Sequence, residues 1–152
     1  MLNSEPGTVP FGFVFDQAGS LAVAEAGGSY VATFALAPSG TLAPLATLAT
    51  GQPATCWVTA DGSVLYASNA GGPSLSSVSV VPWGSLTLLA TTVTDTGTVD
   101  ATPPSPDGRY LYVQAGGPGN VDEFSVGSGG ALTAIASVTV PGAIGGEGIA
   151  AS

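Results

Sequence analysis

Short apolar runs separated by turn residues cover almost the whole chain, and none carries a convincing amphipathic helical period. The first four runs read "FGFVF", "LAVAE", "YVATFAL" and "LAPLATL"; the next four read "TCWVT", "VLYASN", "LSSVSVV" and "LTLLATTVT". They are too short for typical helices and rich in Val, Thr, Tyr and Phe, which suit a pleated strand. In "YVATFAL", Tyr30, Ala32, Phe34 and Leu36 alternate with Val31, Thr33 and Ala35. Both sets are fairly apolar, as expected of a sheet covered on both faces. A third group follows as "YLYVQ", "VDEFSV" and "LTAIASVTV". Its first strand is less clear, because "VDATPP" contains Pro103 and Pro104, which remove two ladder donors. Asp61-Gly62 and Asp107-Gly108 read as hairpin turns, since Gly accepts positive φ and Asp tolerates it.

These groups repeat. The turn glycines Gly19, Gly62 and Gly108 are spaced 43 and 46 residues apart. The "AGG" triplets starting at Ala26, Ala70 and Ala115 are spaced 44 and 45. A small turn followed by Leu falls at Gly40–Leu42, Gly84–Leu86 and Gly130–Leu132, with steps of 44 and 46. Three landmarks sharing one period, with four strands in each, describe blades of a β-propeller. A two-layer sandwich of about twelve strands would give no reason for that period. The pattern therefore predicts an all-β fold: three four-stranded antiparallel blades, at about residues 10–52, 53–98 and 99–142, plus a trailing strand at 147–151. The whole of 1–152 then reads as a single partial propeller domain. Three wedges span about half a ring, so either further blades lie upstream or two copies associate as a homodimer to complete the circle.

Charge narrows the partners. Ten carboxylates face one basic side chain, Arg109, with no Lys and no His, for a net charge of −9. Nucleic acid and anionic membrane surfaces are poor partners, because both are bound through Lys and Arg. No stretch of about 18 uninterrupted apolar residues marks a membrane span. The start "MLNSEPGTVP" has neither the basic nor the apolar region of a signal peptide. Cys56 is the only cysteine and has no His to activate it, so it reads as a packed core thiol. No zinc or calcium signature is present, and no cofactor is expected.

The phrases "PFGFVFDQAGSLAVAEAGG", "ATCWVTADGSVLYASNAGG", "GSLTLLA" and "SPDGRYLYVQAG" resemble the lactonase-like seven-bladed β-propeller family. That family includes 6-phosphogluconolactonase and carboxymuconate-lactonizing enzymes. The likeness runs from Pro10 to Ser152 and resembles the last three blades. It implies a funnel on the propeller axis for a small lactone or hydroxy-acid, and a periplasmic or secreted location. It also implies Arg, His and Glu side chains in the funnel; with no His and one Arg, this chain departs from that pattern, which argues against activity of the chain alone. A non-catalytic binding or scaffold propeller, or a truncated fragment, is the alternative.

Candidate site residues follow from the repeat. The residue before each "AGG" is polar: Glu25, Asn69 and Gln114. Quasi-equivalent positions in successive blades can converge on one axis. Lactone opening needs a base for water and donors for the oxyanion, so Glu25 is the candidate catalytic group and the two amides candidate donors. The plain alternative is that they satisfy backbone groups at strand ends. Trp57 on an innermost strand is a candidate stacking surface, or else inter-blade packing. Arg109 is a candidate clamp for a substrate carboxylate, or else a partner for a nearby Asp.

Overall fold

A computed structural model describes residues 3–81, 85–102, 105 and 107–150. Twelve strands form three antiparallel sheets of four among these residues. Blade 1 holds β1 (Pro10–Phe15), β2 (Leu21–Glu25), β3 (Tyr30–Leu36) and β4 (Leu42–Ala49). Blade 2 holds β5 (Thr55–Asp61), β6 (Val64–Asn69), β7 (Ser74–Val80) and β8 (Leu86–Val93). Blade 3 holds β9 (Thr98–Ala101), β10 (Tyr110–Ala115), β11 (Asn120–Val126) and β12 (Leu132–Thr139). Strands pair in sequence order within each sheet, as a meander of hairpins requires. Of the sequence landmarks, Gly84 and the prolines of "VDATPP" lie outside the described residues. The first strand of the third unit forms as β9, which stops at Ala101, before Pro103.

The sheets stack face to face with β1, β5 and β9 packed together along one edge. Along the other edge β4, β8 and β12 are largely exposed. Blade 2 is covered on both sides, and every residue of β6 is buried. One face carries Val58, Leu65, Ala67 and Val78 into a core with Ala22, Ala24 and Val31 of blade 1. The other carries Val64, Tyr66 and Leu75 into a core with Leu111, Val113 and Phe124 of blade 3. Burial pushes the Tyr66 phenol up to about 12, with the Asp61 charge adding to it. Period two divides β6 between the two cores, so both faces had to be apolar.

The structure gives the "AGG" phrase a cause. The β2–β3, β6–β7 and β10–β11 hairpins each lean on the loop entering their own blade. Ala26, Ala70 and Gly116 donate N–H to the carbonyls of Val9, Ala54 and Gly97 at 3.0, 2.9 and 2.8 Å. Gly27, Gly71 and Gly117 donate to Thr8, Pro53 and Thr96 at 2.9, 3.2 and 3.1 Å. A Cβ on Gly27 would stand 2.9 Å from the Thr8 oxygen, and one on Gly117 would stand 2.7 Å from that of Thr96. The glycines permit two backbones to touch. The accepting residues Val9, Ala54 and Gly97 all take positive φ, at 54°, 53° and 70°, so one left-handed corner recurs in every blade, strained at Val9 and Ala54 and relaxed at Gly97.

The trailing strand expected at 147–151 is not paired over 147–150, and residue 151 lies outside the described residues. Val140 still donates to Gly119 and Gly145 to Gly116, which ties the tail to blade 3. Gly145 and Gly148 then take φ of 73° and 99°, which breaks the extended geometry a ladder needs. The Ile149 N–H goes instead to the Asp100 carboxylate on β9, at 3.1 Å.

Candidate functional site

The repeat places the three "AGG" hairpins and the loops before β5 and β9 at one end of the blades, and the three polar residues lie there. Strand register decides where each side chain points. The residues closing the hairpins are Glu25 opposite Tyr30, Asn69 opposite Ser74, and Ala115 opposite Asn120. Ala115, not Gln114, therefore occupies the position of Glu25 and Asn69. The loop bonds agree, since Gly116 does in blade 3 what Ala26 and Ala70 do in blades 1 and 2. A slip of one residue reverses the face.

Glu25 shares its face with Leu21 and Val23, on the side of blade 1 away from blade 2. It is 1% exposed, and its Oε2 has no hydrogen-bond partner. Its charge, after burial, helps raise the Tyr30 phenol above the ordinary value. Asn69 faces blade 1 and is fully committed. Its Oδ1 accepts from Thr55 at 2.8 Å, and its Nδ2 donates to Ser74 O, Ser74 Oγ and Ser76 Oγ at 3.3, 3.1 and 3.0 Å. Thr55 in turn meets the Thr50 hydroxyl at 2.7 Å, so the amide is the hub of a clasp between two blades. Gln114 shares the outer face of blade 3 with Tyr110 and Tyr112, beside the tail at Gly146, and its Oε1 has no partner.

Trp57 packs edge-on against Phe11 of β1, with ring centroids 5.3 Å apart at 84°. Gly12 makes room for it, since a Cβ there would lie 2.8 Å from the Trp57 Cα. Arg109 sits in the turn before β10, with its guanidinium 5.3 Å from the Tyr110 ring centre. Its own N–H donates to the Asp107 carboxylate at 3.1 Å. The length of β10 separates it from Gln114 by roughly 17 Å. Among the described residues, no hydrogen bond joins any two of Glu25, Asn69, Gln114, Trp57 and Arg109. The Cys56 thiol is buried, and burial raises its pKa.

Sequence reasoning missed a second clasp. The Asp95 carboxylate accepts from Asn120 at 2.6 Å and from Ser137 at 2.8 Å, while the Asp95 N–H donates to Asp122 at 2.8 Å. Thr94 and Thr98 bond to each other as Thr50 and Thr55 do one blade earlier. The signal was present: a threonine closes β4 and β8 and another opens β5 and β9.

No family model and no curated protein matches the chain by sequence. Solved structures do. The periplasmic gluconolactonase PpgL of Pseudomonas aeruginosa matches over 91% of this chain and 42% of its own, with TM-score 0.78 and 23% identity. A Bacteroides fragilis protein provisionally named as a 6-phosphogluconolactonase matches over 91% and 41%, with TM-score 0.76 and 24% identity. A Lactobacillus plantarum protein matches over 86% and 41%, with TM-score 0.79 and 21% identity. The chain thus spans about two fifths of the length of each. These likenesses define a class of fold: an arc of β-propeller blades of the kind found in lactonase-type propellers.

Proposed function

We propose that the chain is part of a lactonase-like β-propeller acting on small sugar-acid or carboxy-lactones. The supporting observation is the match to the P. aeruginosa gluconolactonase over nine tenths of this chain. In that reading Glu25 is the base. It takes a proton from water as the water oxygen bonds to the lactone carbonyl carbon. The ring C–O bond then breaks, and the proton passes to the leaving oxygen to give a hydroxy-acid. The buried, unpartnered Oε2 suits a group kept free for a proton. The remaining groups of such a site come from upstream blades or from a second copy completing the ring. A periplasmic or secreted location goes with this reading.

The alternative is a binding or scaffold propeller without catalysis. It is favoured by the commitment of Asn69 to the inter-blade clasp and by Arg109 lying at the far end of its blade. Hydrolysis of gluconolactone by the completed ring, as the chain's dimer or the chain joined to its upstream blades, followed at constant pH, separates the two. The catalytic reading expects turnover above the uncatalysed rate and a loss of about 100-fold or more in Glu25→Gln. No turnover, together with saturable binding of a hydroxy-acid, would leave the scaffold. Turnover unchanged in the variant would remove Glu25 from the mechanism.

A further inference from the structure

At the end of the blades opposite the "AGG" hairpins, the first turns of blades 1 and 2 border an open cavity of about 330 Å³. Asp16, Gln17 and Ala18 line it from one side, and Gly62, Ser63 and Val80 from the other. Asp16 is 6% exposed. Its Oδ1 accepts from the Ala18 N–H at 2.9 Å and the Ser20 N–H at 2.8 Å, which closes the turn. Its Oδ2 has no hydrogen-bond partner, and neither has the buried hydroxyl of Ser20.

Closing the turn does not require that second oxygen. In blade 3 the corresponding position is Ser105, whose hydroxyl accepts the Tyr110 N–H at 3.1 Å and completes a similar turn. A buried carboxylate oxygen without a donor costs about 1–3 kcal/mol or more. The chain's own side chains offer it no cation, because there is no Lys or His and Arg109 lies in blade 3 against Tyr110.

We propose that this cavity binds a small organic ammonium ion. Its N–H donates to Asp16 Oδ2, and its short apolar stem rests on Ala18 and Val80. The exposed Gln17, whose Oε1 lies beside Gly62, is the side chain that moves to admit it. A divalent metal fits less well, since calcium takes six to eight oxygens and the cavity has one carboxylate.

The test is a titration of the ¹⁵N-labelled chain with n-butylammonium, with n-butanol as neutral isostere and calcium as metal control. The expected result is saturable shifts of the Ala18, Ser20, Gly62 and Ser63 amides with the amine, and none with butanol or calcium. Asp16→Asn keeps an acceptor for the turn and should weaken binding at least about tenfold without lowering Tm. Ala18→Leu fills the cavity and should abolish binding with Asp16 intact. If Asp16→Asn fails to fold, Ala18→Leu decides. Absence of saturable shifts, equal binding by either folded variant, or a response to calcium in place of the amine overturns the proposal.

Discussion

Gly117 shows how a single position carries the repeat. Its missing Cβ lets the β10–β11 hairpin touch the Thr96 carbonyl, and an alanine there would place a carbon 2.7 Å from that backbone oxygen. The nearest atom is a backbone oxygen, with the Thr96 hydroxyl at 2.8 Å beside it, so Gly117→Ala should cost about 1–3 kcal/mol, read as a lower midpoint in thermal or urea unfolding. A Cβ at Gly108 would meet nothing within 4 Å, but the residue takes φ of 69°, so its substitution tests the turn alone. The Asp95–Asp122 clasp gives a pH signature. Hydrogen bonds from Asn120 and then Ser137 hold the Asp95 carboxyl below the ordinary range, so its contribution is present above that range and lost as pH falls through the lowered value. Burial raises Asp122, and its contribution is present below the ordinary range and lost as pH rises through the raised value. Asp122→Asn still offers an acceptor to the Asp95 N–H. It should abolish the alkaline-side decline in Tm across a series from about pH 3 to about pH 8 while leaving the acid-side loss.

At the scale of strands, most of the architecture could be read from alternation. β2, β3, β6 and β7 coincide with apolar runs because a sheet covered on both faces needs them. β9 was hard to read because its pattern runs into prolines, and only the strand's early end reconciles the two. Gln114 was misplaced for another reason. "AGG" looks alike in all three units, but in blade 3 it is threaded one residue out of step with the hairpin closure, and letters alone do not reveal which residue closes a turn. The outer strands carry a further regularity. Leu45, Leu89 and Ile135 are each skipped in the pairing of β4, β8 and β12, a bulge at the same place in every blade. Such bulges twist an exposed edge away from other edges. Leu65 lies on the most enclosed strand, wholly buried between blades 1 and 2. Leu65→Ala should therefore lower stability by about 2–5 kcal/mol in chemical denaturation.

Across the whole molecule, the two end faces differ. Blade 1 ends in Phe11, Phe13 and Phe15, each more than half exposed, along β1. The outer face of blade 3 presents Tyr110, Tyr112 and Gln114 next to the tail. Phe13 pairs with Val23 as Val58 pairs with Ala67, so β1 exposes the position that β5 buries against blade 1. The blade count and order were legible from the 45-residue period. The convergence of polar residues on an axis was not, because it depends on the direction of side chains that a period leaves open.

Blade 2 lies between blades 1 and 3 with a different face toward each. Methyl and aromatic NOEs on the labelled chain test this most directly. Val58 and Leu65 should show contacts to Ala24 and Val31, and Tyr66 should show contacts to Leu111 and Phe124. Contacts running from the blade 1 core residues Ala24 and Val31 to Leu111 and Phe124, with none to blade 2, would mean two layers face to face and would contradict the stacked fan of blades.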